Sequence, residues 1–375
     1  MRNARPLACA TVGAILALTT ACAPNRGATF PRAFAEAERA ETAGLYAEAA
    51  KKYDDAARAA KLARDRDHAR YLAGIMMLRD RNVRDGVARL DQVASASPPS
   101  EDSAEAAYRA AEARIESGDA AEAERGWRDM EQVLFRFPAH GIAHSAVRRI
   151  LLDKDVKDGK RASLEYLDHL LRGPLGQSDL AELLSYEAAE RMAETGDTKR
   201  AHDAFLAVAT RWPYPFGALW DNALYRASEM DDALGRYAHA IVDLERMIRE
   251  HESTSLVGSY TRPKMSPGLF RIGVLYGFRM HDHARARAAF QRLHDEFATS
   301  KLRPDALWLE ARLWDEDGNA TSACDTLARL TTEFPDSRYV PCAIEKCPAV
   351  KRANKSKAPT SCHPYLLRAE RELAR

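Results

Sequence analysis

For some 300 residues after Cys22, as far as Cys324, the chain has no cysteine, so its main body does not rest on disulfides or thiolate-bound metal. It has no excess of either charge: 56 Lys and Arg stand against 55 Asp and Glu, a formal net charge of +1. A nucleic-acid partner would call for a one-sided basic field, and here the two signs are interspersed. No alternation of Val, Ile and Thr runs far enough to mark strands, which leaves an all-α chain. No Ser-His-Asp signature, phosphate-binding loop or dinucleotide fingerprint occurs, so no catalytic residue, cofactor or metal is expected. The apolar run Leu7 to Leu18 is too short to span a bilayer permanently.

What is there is repetition. A Gly, a small or branched apolar residue five places on and a bulky one nine places on recur together. The copies are Gly44/Ala49/Tyr53, Gly118/Ala123/Trp127, Gly196/Ala201/Phe205, Gly235/Ala240/Leu244 and Gly318/Ala323/Leu327. Looser copies are Gly159/Leu164 with a frameshifted Tyr166, Asn82/Val87 with Leu90 just off phase, and His281/Ala286/Phe290. The turn positions fall mostly 36 to 41 residues apart. Such spacing means an array of helical hairpins, each too small to bury its own apolar face. The Gly closes a first helix with positive φ, and Asp119, Asp197 and Asn319 open the second. Aromatic-Pro pairs then stop second helices at Phe137-Pro138, Trp212-Pro213 and Phe334-Pro335, with Phe297-Ala298 as a variant.

These residues resemble the tetratricopeptide repeat (TPR). Small residues seven before the turn (Ala37, Ala111, Ala189, Ser228, Ala311) agree with that family's first helix. Leu293…Phe297-Ala298-Thr299-Ser300 and Leu330…Phe334-Pro335-Asp336-Ser337 look like BamD-type outer-membrane assembly lipoproteins. The resemblance implies a right-handed superhelical solenoid of about eight TPR-like hairpins over residues 33–338, whose first helices line a groove for a peptide or partner helix. Tyr108, Tyr186, Trp220, Tyr225, Tyr276 and Trp308 lie on first helices and are the candidate partner-binding residues; Tyr71 and Trp314 lie there too. Some of these must face the core instead.

The ends carry separate signals. Arg2 and Arg5, the apolar run and Leu18-Thr19-Thr20-Ala21-Cys22 resemble a bacterial lipoprotein signal over 1–21. That resemblance implies acylation (palmitate included) at Cys22, a tether over 22–32, and, with Ala23 after the Cys, a place on the periplasmic face of the outer membrane. At the other end, 339–375 is a basic tail with a final helix expected from Tyr365 to Arg375. Cys324, Cys342, Cys347 and Cys362 read as two disulfides in an oxidising compartment, with three pairings open. One closes Cys342–Cys347 locally and staples Cys324 to Cys362; a zinc site of Cys342, Cys347, Cys362 and His363 is the other alternative. The pairs His140/His144 and His281/His283 lie at turns and read as solvated.

The function expected is therefore a non-enzymatic scaffold that binds periplasmic or outer-membrane proteins, and in one variant peptidoglycan. A rival comes from Glu252-Ser253 followed by Gly268-Leu269-Phe270-Arg271, which resembles the catalytic region of soluble lytic transglycosylases. In that reading Glu252 is a general acid.

Overall fold

A computed structural model describes residues 26–250 and 262–373, and every regular element among them is helical. The expected signal, Cys22 and Glu252 lie outside the described residues. In chain order the helices are α1 (Thr29–Thr42), α2 (Tyr46–Ala59), α3 (Ala63–Arg79), α4 (Val83–Ala94), α5 (Ser103–Ile115), α6 (Ala120–Arg136), α7 (Gly141–Lys157) and α8 (Lys160–Arg172). There follow α9 (Ala181–Glu194), α10 (Thr198–Arg211), α11 (Trp220–Ala233), α12 (Tyr237–Arg249), α13 (Met265–Val274) and α14 (His283–Glu296). The last are α15 (Arg303–Glu316), α16 (Ala320–Glu333), α17 (Val340–Lys346) and α18 (Arg368–Leu373). No described helix is long and apolar enough to cross a membrane.

The chain forms two compact units, one ending at Lys157 and also taking 177–180, the other made of Asp158–Gly176 and Ala181 onward. Hairpins α1/α2, α3/α4 and α5/α6 with α7 make the first unit. The second has α8, hairpins α9/α10, α11/α12, α13/α14 and α15/α16, and the tail helices. Among the described residues seven hairpins are intact, and the two helices of the repeat over 142–172 belong to different units, in line with the array of about eight expected.

Each hairpin turns on one left-handed residue. Gly44, Gly118, Gly196, Gly235 and Gly318 all have φ between 70° and 87°. This conformation sets the Cβ of an ordinary residue against the following carbonyl, and Gly has none to clash. The Gly-less turns keep the conformation: Arg81 has φ 62° and His281 φ 55°. Asn82 is therefore not the turn residue but the cap of α4, its side chain accepting from Asp85 N. Moving the turn to Arg81 brings Leu90 into phase at nine places and makes Gly86 the small residue at five.

Small residues sit where the two helices of a hairpin cross. Ala37, Ala111, Ala189, Ser228 and Ala311 are buried, and so are their second-helix counterparts Ala49, Ala201, Ala240 and Ala323. In α3/α4 the pair is Gly74 and Gly86, and a Cβ on Gly74 would lie 2.8 Å from Leu90 Cγ. The bulky residue four further on fills the space beside the crossing: Tyr53, Leu90, Phe205, Leu244, Phe290 and Leu327 are buried. Each contributes about 1.5–3 kcal/mol.

Two hairpins depart from this register. In α5/α6 the close approach is one turn further along, at Gly126, whose Cβ would lie 2.7 Å from Ala111 O. Trp127 is consequently half-buried, and Met130 takes the buried place. In α13 a π-helical turn, Leu275–Arg279, adds one residue, so the close-approach residue is Gly273, eight before His281. In α8, after a turn one residue shorter, Ser163 and Leu167 are buried rather than Leu164 and Tyr166.

Asp119, Asp197, Asp282 and Asn319 cap second helices through their side chains. Phe137, Trp212, Phe297 and Phe334 stop them with non-helical backbone, the position before Pro being pushed out of the α region in three of the four.

The tail cysteines pair as Cys324–Cys347 and Cys342–Cys362. This is neither the local closure Cys342–Cys347 with Cys324–Cys362 nor a zinc site. Cys342 and Cys347 lie at opposite ends of α17, so one faces the tail and the other α16. The final helix begins at Arg368 rather than at Tyr365, after a 3-10 turn at Pro364–Leu366, and is described as far as Leu373.

Non-glycine residues in the left-handed region carry a conformational cost of about 1–2 kcal/mol. Arg81→Gly and His281→Gly should therefore each raise the urea midpoint of the full chain, and Gly318→Ala should lower it. Circular dichroism melts of the three variants check this.

Candidate partner-binding groove

The small residue of each first helix predicts what lies beside it. Three residues earlier stands an aromatic in all seven hairpins: Phe34, Tyr71, Tyr108, Tyr186, Tyr225, Phe270 and Trp308. At about 100° per residue this position is about 60° from the crossing, on one flank of the helix. The residue after the aromatic, Arg109, Arg226 or Arg271, lies at about 160° on that flank. The residue after the small one, Glu112, Glu190 or Glu229, lies at about 100°. Aromatic, acid and Arg therefore share one face.

In the first unit Arg109 bonds Glu105 at 3.0 Å and Glu112 at 2.9 Å. Arg149 of α7 reaches the same Glu112 at 3.1 Å and Glu116 at 2.6 Å. In the second unit Arg226 takes Glu190 with two bonds of 2.8 and 2.7 Å and also contacts Glu229. Arg271 takes Asp232 at 2.7 Å and lies 4.0 Å from Glu229, and Arg279 lies 3.5 Å from Asp232. The result is a line of alternating charges from α9 through α11 to α13. Burial opposes the charge on Arg226, but Glu190 and Glu229 outweigh it and hold the guanidinium protonated. Burial pushes the Tyr225 phenol up, against the Arg271 cation beside it. Burial and then Glu190 do the same to Tyr186. Both phenols stay as neutral O–H groups.

Between these side chains lies a cavity of about 470 Å³. Tyr225, Arg226, Glu229, Asp232, Phe270 and Arg271 line it, with Arg279 and Glu372 at its edges. An aromatic floor with paired but partly exposed charges suits a polypeptide segment, which offers apolar side chains and hydrogen-bonding groups together.

The structure divides the expected partner-binding residues. Tyr108, Tyr186, Tyr225 and Trp308 share the flank described. Tyr186 and Tyr225 are half-buried, whereas Tyr108 and Trp308 are buried, so neither of the latter is open to a partner as it stands. Trp220 is corrected outright. It lies eight before Ser228, about 80° to the other side of the crossing, and is buried against Tyr214 with ring centroids 5.5 Å apart. Tyr276 sits in the π turn, also off the flank, with Arg285 over its ring. Phe270 and the Arg and Glu partners were missed, although the aromatic three before the small residue was a readable signal.

His202, Asp231 and Asp243 bring a ring nitrogen and two carboxylates within 4.8 Å of one another. A cation already serves this cluster: Arg236 Nη2 lies 2.6 Å from Asp231 Oδ1, and His202 Nε2 lies 3.3 Å from the same oxygen. We read it as a buried charge cluster tying α10, α11 and α12 together. His140 and His144 are exposed, and His283 bonds Asp317 at 2.6 Å.

Residues 268–300 and 305–337, the last two hairpins, match the tetratricopeptide-repeat family profile. The chain thus contains TPR repeats, a fold of protein-binding adaptors. No curated protein matches the sequence. Among solved structures the chain is similar to the C-terminal part of a TPR repeat-containing protein of Cytophaga hutchinsonii, with 10% identity, 74% of this chain and 99% of that one covered, and TM-score 0.46. It is similar also to Pseudomonas aeruginosa PilF (13% identity, 66% and 97% covered, TM-score 0.39). A third is MamA of Desulfovibrio magneticus RS-1 (16% identity, 52% and 96% covered, TM-score 0.37).

Burial and then the Asp231 charge push the Asp243 carboxyl up. Asp231→Asn removes the second cause and leaves the first, so the Asp243 pKa should fall part of the way toward its ordinary value. Carboxyl-carbon NMR titration of both proteins checks the shift and its sign.

Proposed function

We propose that this chain is a non-enzymatic scaffold of a bacterial envelope, anchored by lipid on Cys22 and holding segments of periplasmic or outer-membrane proteins on its first-helix flank. The observation that carries the reading is the row of half-buried Tyr and paired Arg and Glu around the cavity at Tyr225. Large aromatics and Arg are the side chains that anchor interfaces, because they bury much area at little entropic cost. The place in the cell rests on the N-terminal resemblance to a lipoprotein signal. Two disulfides in the tail accord with an oxidising compartment.

The test uses a photo-reactive amino acid at Tyr225 and, as a control, at the exposed Val242 of α12. In intact membranes Tyr225 should give discrete protein crosslinks and Val242 none. Arg271→Glu should weaken them by about tenfold, the loss of one anchor of roughly 1.4 kcal/mol. Equal yields from both positions would remove the groove as the partner face.

For the anchor, Cys22→Ser should abolish palmitate incorporation and release the protein from the membrane fraction. Labelling at the wild-type level would refute the lipid assignment. One acyl chain alone anchors only marginally, so retention needs the full set built on that residue.

A further inference from the structure

At the position after the small residue the last hairpin carries the charge opposite to that of α1, α5, α9 and α11, while α3 and α13 have the uncharged Ile75 and Val274 there. After the small residue, where α5, α9 and α11 carry Glu112, Glu190 and Glu229, α15 carries Arg312. The Arg position after the aromatic is Leu309. Arg312 pairs with Glu316 of its own helix at 3.0 Å and also with an acid from the C-terminal segment. Glu370 of α18 accepts from Trp308 Nε1 at 2.8 Å through one oxygen and from Arg312 Nη1 at 2.8 Å through the other.

The rest of α18 is seated as firmly. Leu367 and Ala369 are buried, and Ala369 N donates to Tyr339 Oη at 3.0 Å. Arg368 bonds Asp305 at 2.9 Å and Lys301 O at 2.6 Å. Glu372 lines the Tyr225 cavity. The segment reaches this place through 20 residues of chain pinned by Cys342–Cys362, whose Cys362 is half-exposed.

We propose that Arg368–Leu373 is an intramolecular occupant of the groove, latched by Cys342–Cys362, and that thiol exchange at this cystine frees the Trp308–Arg312 place for a partner segment that presents a carboxylate where Glu370 now sits. The proposal rests on the groove reading above and adds its regulation. A dithiol attacks the half-exposed Cys362 sulfur and passes two electrons and two protons to the cystine. It leaves as a disulfide, and Cys342 and Cys362 become thiols. What frees the segment is the loss of the tether: α18 has only six residues and stays in place by local concentration.

Hydrogen exchange of the full chain reads this without any partner. In the Cys342→Ser/Cys362→Ser protein, which keeps Cys324–Cys347, the amides of residues 364–373 should exchange at least about tenfold faster than in wild type. Amides of α9 to α12 should not change. Glu370→Gln, with the tether intact, should give a smaller rise, which separates loss of the latch from misfolding. A fluorescent synthetic peptide of residues 364–375 should then bind the double-serine protein at least about tenfold more tightly than wild type. Adding Arg312→Glu to that protein should abolish binding. Unchanged exchange, or equal peptide binding by both proteins, overturns the latch. Crosslinks at Tyr225 could persist in that case, so the two readings fail separately.

Discussion

Two helices joined by a short turn can bury a common face only if their backbones approach closely, and here that requirement dictates the rest. At the crossing each helix must present Gly, Ala or Ser. Gly74 against Gly86 and Gly273 against Phe290 show how little room there is: an added Cβ would meet a neighbour at 2.8 and 2.4 Å. Once the crossing residue is fixed, the 3.6-residue period fixes every other direction. The bulky residue of the second helix falls beside the crossing. The aromatic three places earlier on the first helix falls on a flank, where Tyr225 and Phe270 line the cavity. The flank proposed as the recognition face is a by-product of the packing register.

That explains which features were legible in the sequence. The left-handed Gly turns, the Asp and Asn caps and the aromatic stops each depend on a residue type with no substitute of equal fitness, so they could be read from single positions. Register was legible in most of the repeats and failed where the close approach shifted, at Gly126 and Ser163, although Gly118 and Gly159 marked those turns. At Asn82 a capping residue resembles a turn residue, and only the backbone shows that Arg81 bears the positive φ. After α13 the residue inserted by the π turn has no letter of its own, so counting seven back from His281 gives Val274 where the close approach is at Gly273. Trp220 shows the limit of choosing aromatics by helix alone: it is on a first helix, yet 80° to the wrong side. The cystine pairing was not legible either, since it depends on which ends of the seven-residue α17 face α16 and the tail.

The charges on the groove flank are paired before any partner arrives. A lone buried Arg would cost far more than one held by Glu190 and Glu229, so the Arg109 and Arg226 guanidinium groups are kept charged and oriented by carboxylates of their own helix and, for Arg226, of the preceding first helix as well. Such pairs contribute little to stability when half-exposed. In the proposed groove they would define direction: a segment lying along the row would meet donors and acceptors in a fixed alternation, and a misregistered one would meet like charge.

Among the described residues no further hairpin follows α15/α16, so no described first helix supplies the next partner for the flank of α15. For α5 and α9 a following helix takes that role, as Arg149 does for Glu112 and Arg226 for Glu190. At α15 the sequence changes instead: the acid becomes Arg312, and the chain turns back to bring Glu370 to it. The reversal is what distinguishes a ligand-like contact from simple coverage. Hiding Trp308 would need only apolar residues, whereas Glu370 satisfies its indole N–H and the guanidinium beside it with one carboxylate. A partner carrying the same carboxylate in the same register would find its site already shaped, and would have to outcompete an occupant held at high local concentration.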